Sequence, residues 1–123
     1  MTSLGRYSGV LLPLFSLRSE RDVGVGDFGA VPALLDYLKL AGQKMLMVLP
    51  LLPTAPGDSS PYSTRSAFGL STLFLDLAAL LDEAGDRFTP EEAEKVKAAR
   101  ASATVRYDLV FPVKASVTER CFK

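Results

Sequence analysis

The chain has 123 residues, 48% hydrophobic and 23% charged, the size and composition of one ordinary globular domain with a core to bury. Fourteen basic residues cancel fourteen acidic ones, which leaves no positive field to hold nucleic acid or an anionic membrane. A single cysteine, Cys121, and no histidine exclude an intrachain disulfide and a zinc cluster, so the composition predicts a cytoplasmic protein without metal or other cofactor.

Ser8 to Leu17 reads SGVLLPLFSL, a continuous apolar stretch rather than an alternating one, and predicts a parallel strand covered on both faces, centred on Val10 to Leu14. It lacks the basic leader and small-residue cleavage site of a signal peptide. Arg18 to Asp27 reads as a polar, charged loop. Val31, Leu34, Leu35 and Leu38 then recur at helical spacing. Pro32 fits only the first turn of such a helix, which should start near Gly29 or Ala30 and be closed by Gly42. Met45 to Leu52 is a second continuous apolar run, far short of the ~20 residues that span a membrane. Strand, helix and strand in this order predict a parallel βαβ unit with Met45 to Leu49 as its second strand, and an α/β fold class.

Pro53 to Ser66 (PTAPGDSSPYSTRS) is a loop at the C-terminal end of that second strand. Leu73 to Leu81 predicts a short extended piece running into a short helix that ends at Gly85. Thr89, Pro90, Glu91 and Glu92 combine an N-cap, a proline at the first helical position and a glutamate at the third: a capping box, opening a helix to about Ala101. A last helix is expected from about Phe111, with Tyr107 and Asp108 leading in. It carries Val113, Val117 and Cys121 on one face and has no stop signal before Lys123.

Gly24, Gly26 and Gly29 spell GxGxxG between a strand and a helix, the spacing that brings backbone close to a pyrophosphate in dinucleotide-binding turns. A stand-alone α/β nucleotide- or phosphate-binding module is therefore one reading. Against it, polar residues separate the glycines from the strand, Asp27 would sit beside the phosphates, and no acid ends the second strand. Asp58, Ser60 and Tyr62 lie in the loop where a barrel or open sheet places ligand contacts, and the composition accommodates both a ligand loop and a proline-bounded turn. Glycoside chemistry needs two carboxylates about 5 to 9.5 Å apart across a cleft. Asp58 is the one acid in an inviting loop; Asp76, Glu83 and Glu91 to Glu94 read as solvated helix surface or caps. Without histidine, the usual Ser-His and Cys-His nucleophiles are absent too. No residue is assigned a catalytic role, and Cys121 reads as core.

RYSGVLLPLFSL, GVGDFG, LLDYLKLAGQ, MVLPLLPT and GDSSPYSTRSAFG, in this order between Arg6 and about Leu77, resemble the start of the amylomaltase type of 4-alpha-glucanotransferase. The resemblance implies the N-terminal part of a (β/α)8 TIM barrel, incomplete in 123 residues because such a barrel takes about 250. It divides the chain into a first barrel portion with a substrate loop (1–85) and the start of a helical insertion or subdomain (86–123). It implies alpha-1,4-glucans and maltooligosaccharides as partners, with Ser60 and Tyr62 near the cleaved bond, Asp58 beside them, and a retaining mechanism whose carboxylates belong to later strands. A fragment of this kind is expected to be inactive alone. The chain departs from the family at Ser71-Thr72, where many members read Asn-Pro, and at Pro56, where some carry an aromatic.

Overall fold

A computed structural model of the protein describes residues 5–55 and 57–122. Among them, strands β1 (Gly9–Leu12) and β2 (Met45–Val48) pair in parallel, with Val10 opposite Leu46 and Leu11 opposite Met47. Helix α1 (Val31–Leu40) crosses between them, and α2 (Leu77–Ala84), α3 (Pro90–Ala101) and α4 (Tyr107–Cys121) follow. The parallel βαβ unit expected from the two apolar runs is present, in a small mixed α/β domain.

Local chemistry sets most boundaries. Pro13, with no N–H to give the ladder, ends β1, and Leu14–Ser16 form a 3-10 turn where continued strand was expected. After α1, the N–H of Gly42 donates to Lys39 carbonyl at 3.1 Å and that of Gln43 to Leu38 carbonyl at 2.9 Å, the paired bonds of a Schellman motif. Asp76 opens α2 by accepting from the N–H of Ala79 at 3.0 Å. Thr89 and Glu92 form the predicted capping box: the Thr89 hydroxyl accepts from Glu92 N–H at 3.2 Å, and the Glu92 carboxylate accepts from Thr89 N–H at 2.9 Å. Helix α4 starts at Tyr107 rather than at Phe111, with the N–H groups of Leu109 and Val110 both reaching the Arg106 carbonyl. Pro112 consequently falls inside the helix, where it removes one ladder bond. The buried face of Val110, Val113 and Val117 runs across it, and that packing outweighs the local cost.

The expected burial of both strand faces is not met within this chain. Leu11, Met45 and Met47 are 60%, 47% and 51% exposed. The core lies instead between the segment after β1 and the last three helices, joining Leu14, Val23, Val25, Leu73, Phe74, Leu77, Leu81, Ala99, Val110, Val113 and Val117. Asp22 to Asp27, within the stretch Arg18 to Asp27 read as a polar, charged loop, is buried throughout.

That burial is possible because each acid in it has partners. Asp22 accepts from the Arg18 guanidinium at 2.8 and 3.0 Å, from the N–H of Ser19 at 2.7 Å and of Gly24 at 2.8 Å, and from Arg100 at 3.3 Å. Burial pushes its carboxyl up, but these donors together bring it below the ordinary range. Asp27 meets Lys114, whose side chain is 0% exposed, at 3.1 Å, and Lys114 also donates to the Leu75 carbonyl. Burial raises the Asp27 carboxyl and lowers the Lys114 ammonium, while their attraction opposes both shifts.

Glu92, expected on a solvated surface, is also buried. Arg120 donates to it at 2.8 and 3.1 Å and the Ser116 hydroxyl at 2.7 Å, and the guanidinium first of all holds its carboxyl at about 2. Cys121 is partly buried against the core. No helix among the described residues is long and apolar enough to cross a membrane.

Candidate functional site

The loop leaving β2 is tied shut by backbone. Ser71 N–H donates to Leu51 carbonyl at 2.8 Å, Arg65 N–H donates to Pro53 carbonyl at 2.9 Å, and Thr54 and Thr64 form an antiparallel bridge. Between these ties Asp58 organises the turn. Its carboxylate accepts from the N–H of Ser60 at 2.8 Å and from the Ser63 hydroxyl, and these two donors, in that order, hold it below the usual carboxylate range. Its N–H donates to Ala55 carbonyl at 3.0 Å, and its carbonyl accepts from the Thr54 hydroxyl at 2.8 Å. Asp58 is therefore a fixed anion that shapes the loop.

The three residues singled out in this loop share one turn but do not share one surface. The Ser60 hydroxyl faces back toward the N–H of Tyr62 at 3.4 Å, and the Tyr62 ring projects outward, the residue 70% exposed. Asp58 alone of the three borders the neighbouring cleft, about 610 Å³ in volume, which runs between Thr54, Gly57 and Ser59 on the loop and Tyr107, Asp108 and Phe111 at the start of α4. Tyr107 and Phe111, one helical turn apart with ring centroids 6.0 Å apart, make its aromatic wall. Burial pushes the Tyr107 phenol up. Sequence reasoning took Tyr107 as a helix lead-in and assigned Phe111 no site role. The available signal was a pair of aromatics four residues apart, which share a helix face.

Two acids border the cleft, but their environments do not divide acid and nucleophile roles between them. Arg106 donates to Asp108 at 2.8 and 2.5 Å and holds its carboxyl low. Asp58 is held low as well, and a retaining pair needs one carboxyl kept protonated. The cleft can present aromatic faces, fixed anions and hydroxyls to a polar ligand, a surface suited to holding one rather than cleaving it.

The glycine loop is committed to structure. Gly24 has φ of 100°, and a Cβ there would lie 2.6 Å from the Cβ of Ala99, so α3 sits directly on the backbone. A Cβ on Gly26 would lie 2.2 Å from the Leu14 carbonyl oxygen. The N–H of Gly24 goes to Asp22, that of Gly26 to the Phe15 carbonyl at 2.8 Å, and that of Gly29 to Asp27 at 3.0 Å. The glycine N–H groups that such a turn would offer to a phosphate are already taken, and the nucleotide-binding reading loses its basis.

Of the family departures, Pro56 lies outside the described residues. Ser71 accepts from the N–H of Leu73 at 3.2 Å and caps a 3-10 turn at Thr72–Phe74. Asparagine fills the same capping role, and proline the position after it, so Ser71-Thr72 is a physical equivalent of Asn-Pro.

A family model described as 4-alpha-glucanotransferase matches residues 12–123. Among curated relatives, 4-alpha-glucanotransferase DPE2 of Oryza sativa subsp. japonica is 34% identical over 96% of this chain and 13% of its own length. The 4-alpha-glucanotransferase of Chlamydia muridarum is 27% identical over 94% of this chain and 22% of its own, and that of Aquifex aeolicus 33% identical over 96% and 23%. The chain thus spans under a quarter of the length of each of these relatives. With the match running from the end of β1 through α4, the chain belongs to the 4-alpha-glucanotransferase family.

Proposed function

We propose that this chain supplies the opening strands and helices of a (β/α)8 barrel in a 4-alpha-glucanotransferase that moves alpha-1,4-glucan segments between maltooligosaccharides. The match over residues 12–123 carries the reading. The parallel β1 and β2 pair, with the candidate loop leaving the C-terminal end of β2, supports it, because barrel active sites form on that face. In this reading residues 1–85 are the first barrel portion and 86–123 begin a helical insertion or subdomain. The protein works in the cytoplasm, in keeping with its lone cysteine. The nucleophile and the acid/base of a retaining mechanism come from later strands, so this chain alone is inactive.

Its contribution is to the substrate. Tyr62 offers a ring to a sugar face, Ser60 a hydroxyl beside it, and Asp58 the fixed geometry of the turn. The test is a chimera of this chain with the remainder of the Aquifex aeolicus relative, assayed for disproportionation of maltotriose. Tyr62→Ala is expected to lower turnover about tenfold, or about 1.4 kcal/mol, with the melting temperature unchanged, since the ring stands in solvent in this chain. Unchanged transfer by Tyr62→Ala would refute the assignment.

A further inference from the structure

We infer that Phe68 is a stacking platform for a sugar unit of the glucan other than the one at Tyr62, a contact that favours longer glucans over short ones. The inference rests on the proposed function for the chemistry of its ligand.

The backbone ties divide the loop after β2 into two lobes. The bridge between Thr54 and Thr64 closes the first, which carries Asp58, Ser60 and Tyr62. The second arises from a difference in length: Arg65 and Ser71, six residues apart, donate to the carbonyls of Pro53 and Leu51, two residues apart. The excess, Ser66 to Leu70, bulges out as a short lobe with Phe68 at its centre. One hydroxyl holds it, that of Ser66, which accepts from the N–H of Phe68 at 3.1 Å and donates to the Phe68 carbonyl at 2.9 Å. Gly69 turns the chain back with φ of 104°, and a Cβ there would meet nothing within 4 Å, so the turn and no close neighbour requires the glycine.

Fixing the backbone in this way presents the ring. Phe68 is 91% exposed, the highest value for a large apolar residue among the described residues. An exposed apolar side chain by itself signals nothing, but the chain around this one bears on what it can hold. Ala67 and Gly69 flank it with almost no side chain, so both faces of the ring are clear of their neighbours in sequence. A pyranose carries C–H bonds on its faces and hydroxyls around its rim. It can lie flat on such a ring and bury apolar surface while its hydroxyls stay in water, which avoids the cost of leaving them unpaired. Phenylalanine adds no hydrogen bond, so the contact gives affinity without fixing a cleavage position. Tyr62 stands on the other lobe, six residues back and within about 22 Å by backbone reach. One glucan running over the C-terminal end of β2 can meet both rings with different sugars. A glucan too short to reach from one ring to the other gains nothing from Phe68.

The experiment titrates maltoheptaose and maltotriose into the chimera and follows binding by calorimetry, in the cold to slow turnover. Phe68→Ala is expected to weaken maltoheptaose binding about tenfold, to leave maltotriose within about twofold, and to leave the melting temperature unchanged. Phe68→Tyr keeps the ring and should bind maltoheptaose as the unsubstituted chimera does. Phe68→Leu keeps only apolar bulk and should behave as Phe68→Ala. Equal weakening of both sugars, or full maltoheptaose binding by Phe68→Ala or Phe68→Leu, overturns the platform. So does a lowered melting temperature with normal binding by the folded fraction, since the ring would then be packed against protein. Disproportionation by the same chimera reports on the transfer reading separately. A chimera that binds maltoheptaose through Phe68 but transfers nothing leaves the platform standing and removes the activity. One that transfers, but whose maltoheptaose binding ignores Phe68, does the reverse; one that neither binds nor transfers overturns both.

Discussion

Leu11, Met45 and Met47 are as apolar as Leu77, Val113 and Val117, yet the first three face solvent and the last three are almost wholly buried. The difference lies in what each segment finds within reach. The three last helices close over the segment between β1 and α1 and bury one another, and their acids are matched by Arg18, Arg100, Lys114 and Arg120. The strands find one another and little else on the exposed face. Apolarity marks what must be covered; only the tertiary arrangement says whether the cover lies in the same stretch of chain.

The largest test of this contrast is Lys114→Met. It removes the cation from a buried pair and leaves Asp27 charged and unmatched, so a loss of about 3–5 kcal/mol in urea unfolding is expected. Adding Asp27→Asn should return much of it. A loss under about 1 kcal/mol would show that the glycine loop is not held by this pair.

A smaller effect comes from pH. The folded carboxyl of Glu92 lies at about 2 against an ordinary 4.5, because Arg120 donates to it before all else. A depressed carboxyl stabilises the fold above its unfolded value and loses that contribution as pH falls toward the folded one. Stability from this group should be full above about pH 5 and largely gone by about pH 2, amounting to about 3 kcal/mol. Glu92→Gln should lose it at pH 7 and flatten the decline between pH 5 and 2; an unchanged slope would remove Glu92 from the account.

The smallest effect belongs to the strands. Met47→Ala in the chain alone should change stability by less than about 0.5 kcal/mol, because the side chain stands half in solvent. A cost of 2 kcal/mol, the size of a core truncation, would mean that the face is covered in solution and would erase the contrast.

The elements legible in the sequence were those whose signals are local. Thr89 to Glu92 is a capping box that needs no distant partner, Gly42 and Gly85 mark helix ends by the backbone they permit, and two unbroken apolar runs around a helix imply parallel pairing. What failed depended on distance. A lysine on a helix reads as surface until an aspartate far along the chain is found beside it, as with Lys114 and Asp27. The last helix reads from about Phe111, whereas α4 starts at Tyr107 and runs through Pro112, because the apolar face that carries it is recognised only when the core is seen. The GxGxxG spacing correctly marked close backbone approach, but what approaches is Ala99 and the backbone at Leu14 and Leu17, contacts that no local pattern announces. At the candidate site, the loop and the turn at Asp58 were legible, whereas the cleft needed Tyr107 and Phe111 brought across from α4.

The pairs that bury the glycine loop also set an order of events during synthesis. Arg100 lies 78 residues beyond Asp22, and Lys114 lies 87 beyond Asp27. At the usual pace of translation the second interval lasts roughly 4–17 s. Through that time Asp27 has no cation to enter the core with and stays with water. Helix α4 is thus the closing element: a nascent chain halted before Lys114 can pair its strands and match Asp22 but has no cation with which to bury Asp27.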